Sequence, residues 1–284
     1  MLFIKWKGKS LFFLSFNPSN VWYNPGRMKK SSVSFEADNL RLAGEVYLPE
    51  TTSQPLPAIC LCHGIPAVPH NPNDRGYTAL AERFCDAGFV TLIFNFRGTG
   101  ESQGNLDMLG WTQDLKAAIG FLYNLDEVNK SNICLIGSSG GAAASVYVAA
   151  HDSRVSSVAT LACPATFEFM SHKQQVKALI DQFRNIGTIR DKNFPPSMAK
   201  WLKNFDMISP IRWIDKISPR PLLLIHGEED EVVPVEHAFR LYEKAGEPRE
   251  TAIIPGAGHR LRLEEKAIAT ALAWIKNGFT LTSQ

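Results

Sequence analysis

From about residue 32 onward the chain reads as an α/β domain, a mostly parallel sheet with helices on both faces. Three observations lead there. Short continuous apolar runs, such as residues 58–62 and 89–94, have the character of strands covered on both sides. Segments with helical periodicity alternate with them. One glycine-rich turn, Gly137-Ser138-Ser139-Gly140-Gly141, separates a β-branched run from an alanine-rich one.

Taken in order, residues 33–37 and 41–48 read as a β-pair joined through Asp38-Asn39. Residues 58–62 form a buried strand. Residues 77–86 form a helix that stops at Ala87-Gly88, and 89–94 the next strand. Trp111, Leu115, Ala118 and Leu122 recur at helical spacing and place a helix over 112–125. Residues 133–136 are a strand, 140–150 a small-residue helix and 155–163 another strand. Strands over 222–225 and 251–254 and a final helix over 264–276 complete the series. Between about 164 and 219 the rhythm breaks. Two helix-like pieces, 174–186 and 197–205, flank Pro195-Pro196 there. An insertion of that size between sheet strands is expected to form a lid.

The chain has 284 residues, of which 45% are hydrophobic and 20% charged. That excludes a disordered chain and leaves room for a real core. The net charge of +2 gives no general case for binding nucleic acid. The charge is unevenly spread. Residues 1–30 hold six basic side chains and no acidic one, leaving 24 basic and 28 acidic residues, a net −4, for the rest. Residues 1–31 are therefore read as a basic extension outside the domain of residues 32–284, and as poorly ordered. A secretory signal fits badly, since the apolar run 11–14 is short and Asn17-Pro18-Ser19-Asn20 offers no small-residue cleavage site. No stretch approaches the roughly 20 apolar residues of a membrane span. Five cysteines are an odd number, and all but Cys85 sit in runs read as strands. Buried free thiols in a reducing, cytoplasmic setting are expected. Cys60-Leu61-Cys62 lacks the partners a metal site needs.

Only Ser139 fits the centre of G-x-S-x-G, since Ser138 would require glycine at Ile136. A serine thrown out by a sharp strand-to-helix turn is a nucleophile in form, and small neighbours permit the turn. It needs a base, and the base an acid to orient it. Asp230 lies just beyond the strand 222–225, where sheet enzymes place their ligands. Glu228 and Glu229 compete for the role. Asp230 is favoured because Val232-Val233-Pro234 reads as a fixed turn into a helix. His237 falls on that helix and is set aside. His259, in the loop Pro255-Gly256-Ala257-Gly258-His259, is the expected base. Donors for an oxyanion are expected from the backbone N–H groups of Gly140 and Ile65. Pro66 cannot donate, and His63 reads as structural.

Together these elements resemble the α/β-hydrolase superfamily: His63-Gly64-Ile65, the run 96–102 (Phe-Arg-Gly-Thr-Gly-Glu-Ser), the turn around Ser139, His226-Gly227-Glu228-Glu229-Asp230, and Gly258-His259. Within it the chain is similar to small-lid carboxylesterases, cinnamoyl esterases, monoacylglycerol lipases and serine aminopeptidases. Many relatives carry aspartate where this chain has Asn95, a position that supports the turn. A serine nucleophile argues against haloalkane dehalogenases, epoxide hydrolases and dienelactone hydrolases. The resemblance implies an α/β-hydrolase fold and a carboxylic ester hydrolase acting on a small-molecule ester through an acyl-enzyme. Amide, peptide or thioester cleavage by the same residues, and a catalytically silent binding protein, are the alternatives. No metal, nucleotide or flavin cofactor is expected, and no nucleic-acid or membrane-embedded partner. Between Pro164 and Met207 the insertion carries seven basic and four acidic residues. That disfavours a substrate ammonium group. Its apolar residues Phe167, Phe169, Met170, Phe183, Phe194, Trp201 and Phe205 are read mainly as packing.

Overall fold

A computed structural model describes residues 4–6, 9–11, 28–50, 54–68, 75–167 and 173–280. Strands β1 (Ile4–Trp6) and β2 (Lys9–Leu11) pair antiparallel with each other. The other strands among the described residues form one eight-stranded sheet. They are β3 (Met28–Ala37), β4 (Leu40–Pro49), β5 (Leu56–Cys62), β6 (Val90–Phe94), β7 (Val128–Ser138), β8 (Ser157–Leu161), β9 (Leu222–Gly227) and β10 (Arg249–Ile254). The order across the sheet is β10-β9-β8-β7-β5-β6-β4-β3. β3, β4 and β6 pair antiparallel, and every pair from β6 through β5 to β10 is parallel. This is the α/β-hydrolase fold.

The β3–β4 hairpin turns through Asp38 and Asn39, both at positive φ (51° and 60°), as a two-residue turn with matching twist requires. β3 starts at Met28, earlier than the residue-33 start read from the sequence. Lys30 pairs with Glu45 of β4 at 2.9 Å, so Lys29 and Lys30 belong to the sheet. The expected extension otherwise lies largely outside the described residues. β7 is also longer than expected, while β8 is shorter and ends at Leu161. Cys163 is therefore not on a strand, because Ala162 takes φ 53° and breaks the extended run. All five cysteines are free and buried.

Helix α1 (Gly76–Asp86) joins β5 to β6, α2 (Met108–Tyr123) joins β6 to β7, and α3 (Gly140–His151) joins β7 to β8. The alternation of strand side chains divides the core in two. On β5, Ala58, Cys60 and Cys62 face one cluster with α2 and α3, and Ile59 and Leu61 face the other with α1 and the C-terminal helix (Glu265–Thr280). Trp111, Leu115, Ala118 and Leu122 are all buried against the first face.

Between β8 and β9 lie α4 (Lys173–Asn185) and α5 (Met198–Met207), close to the two expected helical pieces. Phe167, Phe183, Trp201 and Phe205 from this insertion are buried in the first core, and Phe194 packs against it. Phe169 and Met170 lie outside the described residues. Trp201 Nε1 donates to the Leu106 carbonyl at 2.8 Å. Arg190 reaches back to the carbonyls of Ser102 (2.6 Å) and Gly100 (2.8 Å), bolting the insertion to the loop after β6.

Because β7 pairs with β5 while β6 pairs on β5's other edge, the chain changes direction across the sheet between β5 and β7. Loops after the two strands part there and leave a crevice at their carboxyl ends. Register places Cys62 opposite Gly137, so the segments that follow each strand meet.

Candidate active site

Ser139 sits where β7 turns into α3, at φ 51° and ψ −119°, a conformation costly for a residue with a Cβ. Its neighbours explain how the turn fits. A Cβ on Gly137 would lie 2.5 Å from Ala142 Cα, and one on Gly141 would lie 2.2 Å from the His63 carbonyl oxygen. Neither position tolerates a side chain, because backbone from the next turn or from β5 fills the space. The Ser139 N–H donates to the Leu161 carbonyl on β8, and its carbonyl accepts from Ala142 and Ala143, which starts the helix. The turn is thus held by β8 on one side and by the start of α3 on the other.

His259 follows β10, and Asp230 follows β9. His259 Nε2 lies 3.1 Å from Ser139 Oγ. Its Nδ1 lies 2.8 Å from Asp230 Oδ2 and 3.0 Å from Oδ1. With the proton on Nδ1 donated to the carboxylate, Nε2 accepts from the serine hydroxyl. Residues 120 apart in sequence are joined in one hydrogen-bonded chain.

The Asp230 side chain is fully enclosed, whereas Glu228 and Glu229 are exposed. Glu228 accepts from the Gly256 N–H instead. Oδ1 of Asp230 accepts from the N–H groups of Val232 (2.9 Å) and Val233 (2.8 Å). Burial by itself raises the Asp230 carboxyl. The nearby His226 imidazole and hydrogen bonds from His259 and the Val233 N–H outweigh it and hold the group well below the usual carboxylate range. It is therefore ionised at neutral pH. His237 lies away from this chain; its Nδ1 accepts from the Ala165 N–H at 2.9 Å.

Ile65 packs against the start of α3. A Cβ on Gly140 would meet Ile65 Cγ1 at 2.7 Å and would stand 3.5 Å from the Ile65 nitrogen. Ile65 and the start of α3 therefore form one wall beside Ser139. Gly64 closes the approach, with a Cβ there 3.0 Å from Ser139 Cβ.

His63 holds this wall. Its Nε2 accepts from the Phe96 N–H at 3.2 Å, so the proton is on Nδ1, which donates to the Gly64 carbonyl at 2.8 Å. The ring packs edge-on against Phe96 and Trp111 at 5.1 and 5.4 Å. Burial lowers its pKa to about 4, against the opposing bond to Gly64. An unfolded histidine takes up a proton near pH 6.5, while the folded one refuses it until about pH 4. Above pH 6.5 nothing is lost, and between those values stability falls by about 3 kcal/mol from this residue. Urea midpoints measured from neutral pH downward should fall more steeply for the wild type than for His63→Gln, which keeps an acceptor without the titration. Parallel curves would count against this account.

Sequence reasoning missed one residue here. His226, the penultimate residue of β9, is buried, and its Nε2 lies 3.4 Å from Asp230 Oδ2. Its signal was a histidine in an otherwise apolar strand, four positions before the acid. Among the described residues no cluster of His, Cys, Asp and Glu has the makings of a metal site. No helix there is long and apolar enough to cross a membrane.

YfhR of Escherichia coli K12 is 28% identical over 248 residues, covering 85% of this chain and 78% of that protein. Among solved structures, the alpha/beta hydrolase GrgF from Penicillium superposes with a TM-score of 0.68 at 21% identity, covering 88% of this chain and 98% of that one. Est1E from Butyrivibrio proteoclasticus, with ferulic acid bound, gives 0.66 at 20% identity and the same coverage. Residues 45–245 match the BD-FAE family model. Over that span, and on this fold, the chain belongs to the BD-FAE family and is an esterase-like protein of the α/β-hydrolase superfamily.

Proposed function

We propose that this protein is a serine hydrolase that cleaves carboxylic esters through an acyl-enzyme. The unbroken chain Ser139 Oγ–His259–Asp230 is the observation that carries the reading. Ser139 Oγ attacks the ester carbonyl carbon while its proton passes to His259 Nε2. Asp230 holds the Nδ1–H and stabilises the imidazolium that forms. The N–H groups of Ile65 and Gly140 receive the developing oxyanion. Collapse breaks the carbon–oxygen bond, and the leaving alcohol takes the proton from Nε2. Water then adds to the acyl-enzyme with His259 as base, releasing the acid and restoring the serine.

The insertion between β8 and β9 acts as the lid. Its basic excess is partly structural. Arg184 binds the carbonyls of Lys192 and Phe194, and Arg190 those of Ser102 and Gly100. Charge therefore discriminates less between esters and aminoacyl amides than composition implies. The five buried free thiols support a reducing compartment, and we place the protein in the cytoplasm.

Acyl esters of graded chain length, tested beside thioesters and aminoacyl amides, should show esters turned over fastest. Faster turnover of the amides would replace this assignment with a peptidase. Removing residues 1–27, which stops short of β3, should leave ester turnover largely unchanged. Substantial loss in a truncated protein that still folds would give the basic segment a part in catalysis.

A further inference from the structure

We propose that His226 is a positioning residue for Asp230, a second histidine that braces the turn carrying the acid. The inference rests on the triad reading above. His226 Nε2 lies 2.7 Å from the Val233 carbonyl. A carbonyl only accepts, so the proton of this imidazole is on Nε2. The same N–H lies 3.4 Å from Asp230 Oδ2, and the two side chains are 1% and 0% exposed.

Val233 is thereby pinned twice. Its N–H donates to Asp230 Oδ1, and its carbonyl accepts from His226. The turn 230–233 closes around the carboxylate on one side, and His226, fixed on β9, holds the turn to the sheet. β9 itself is clamped between β8 and β10, with His226 opposite Ile253 in the parallel register. The carboxylate's direction toward His259 is thus set by the rigid sheet rather than by the loop alone.

An apolar side chain at 226 would leave the Val233 carbonyl without its donor in a dry site and free the turn to shift. Displacements of about 1 Å at a catalytic group cost up to about 100-fold in rate. His226→Phe should lower kcat, counted per active site titrated with a fluorophosphonate, by about 10- to 100-fold while KM changes little. The far-downfield proton resonance of the His259–Asp230 bond should shift or broaden. His226→Gln, whose amide N–H reaches the same carbonyl, should recover most of the rate. If His226→Phe does not fold, His226→Asn, too short to span to Val233, carries the same expectation. A kcat per titrated site equal to the wild type, with only thermal stability lowered, would overturn the proposal and leave His226 a packing residue. Ser139→Ala is run alongside. Activity surviving in that variant sinks the triad reading itself, whereas its loss together with an unchanged His226 series sinks only this inference.

Discussion

Ser139→Ala is expected to lower ester turnover by roughly five to six orders of magnitude, leaving the residual acceleration that binding and oxyanion donors supply. The variant should also lose all covalent labelling by a fluorophosphonate. Its fold should be unaffected. Alanine keeps the Cβ that Gly64 and the β7–α3 turn accommodate, and the bonds that hold the turn are made by the backbone of residue 139. Turnover and labelling measured on the purified variant, with circular dichroism to verify folding, check this. A wild-type protein that folds and is not labelled would be a silent binding protein on the hydrolase fold.

Asp230→Asn should lower turnover by about 10⁴-fold without unfolding the protein. The amide still accepts from the N–H groups of Val232 and Val233. It no longer carries the charge that favours the Nδ1–H tautomer of His259 and stabilises its imidazolium. Glu229→Gln should change turnover little, since Glu229 is exposed and the carboxylate that bonds His259 is that of Asp230. Comparing kcat/KM for the two variants decides between the acids. A large loss in Glu229→Gln with a small one in Asp230→Asn would move the acid one residue upstream.

Much of the site was legible because its constraints are local. G-x-S-x-G is a demand for space: positions 137 and 141 press on the backbone of residue 142 and of the His63 turn, and no side chain fits. The order of serine, acid and base follows from strands that lead, one after another, to the same edge of the sheet. Boundaries were less legible where they depend on pairing. β3 runs back to Met28 because β4 offers it partners as far as Pro49. Nothing in residues 28–32 by themselves distinguishes that from an extension.

Composition, periodicity and the glycine-flanked serine were enough to determine the α/β class and to single out Ser139 and a short set of candidate acids and bases. The choice among the acids was made by tertiary structure. Asp230 faces inward and meets His259, while Glu228 and Glu229, one and two residues away, face solvent. The histidines are told apart the same way. His63 is a half-buried acceptor for the Phe96 N–H, His237 an acceptor for the Ala165 N–H, and His226 a donor to the Val233 carbonyl. A side chain's chemistry is written in the sequence. Its direction is set by the strand register and the turn geometry, and these depend on pairing between segments far apart along the chain.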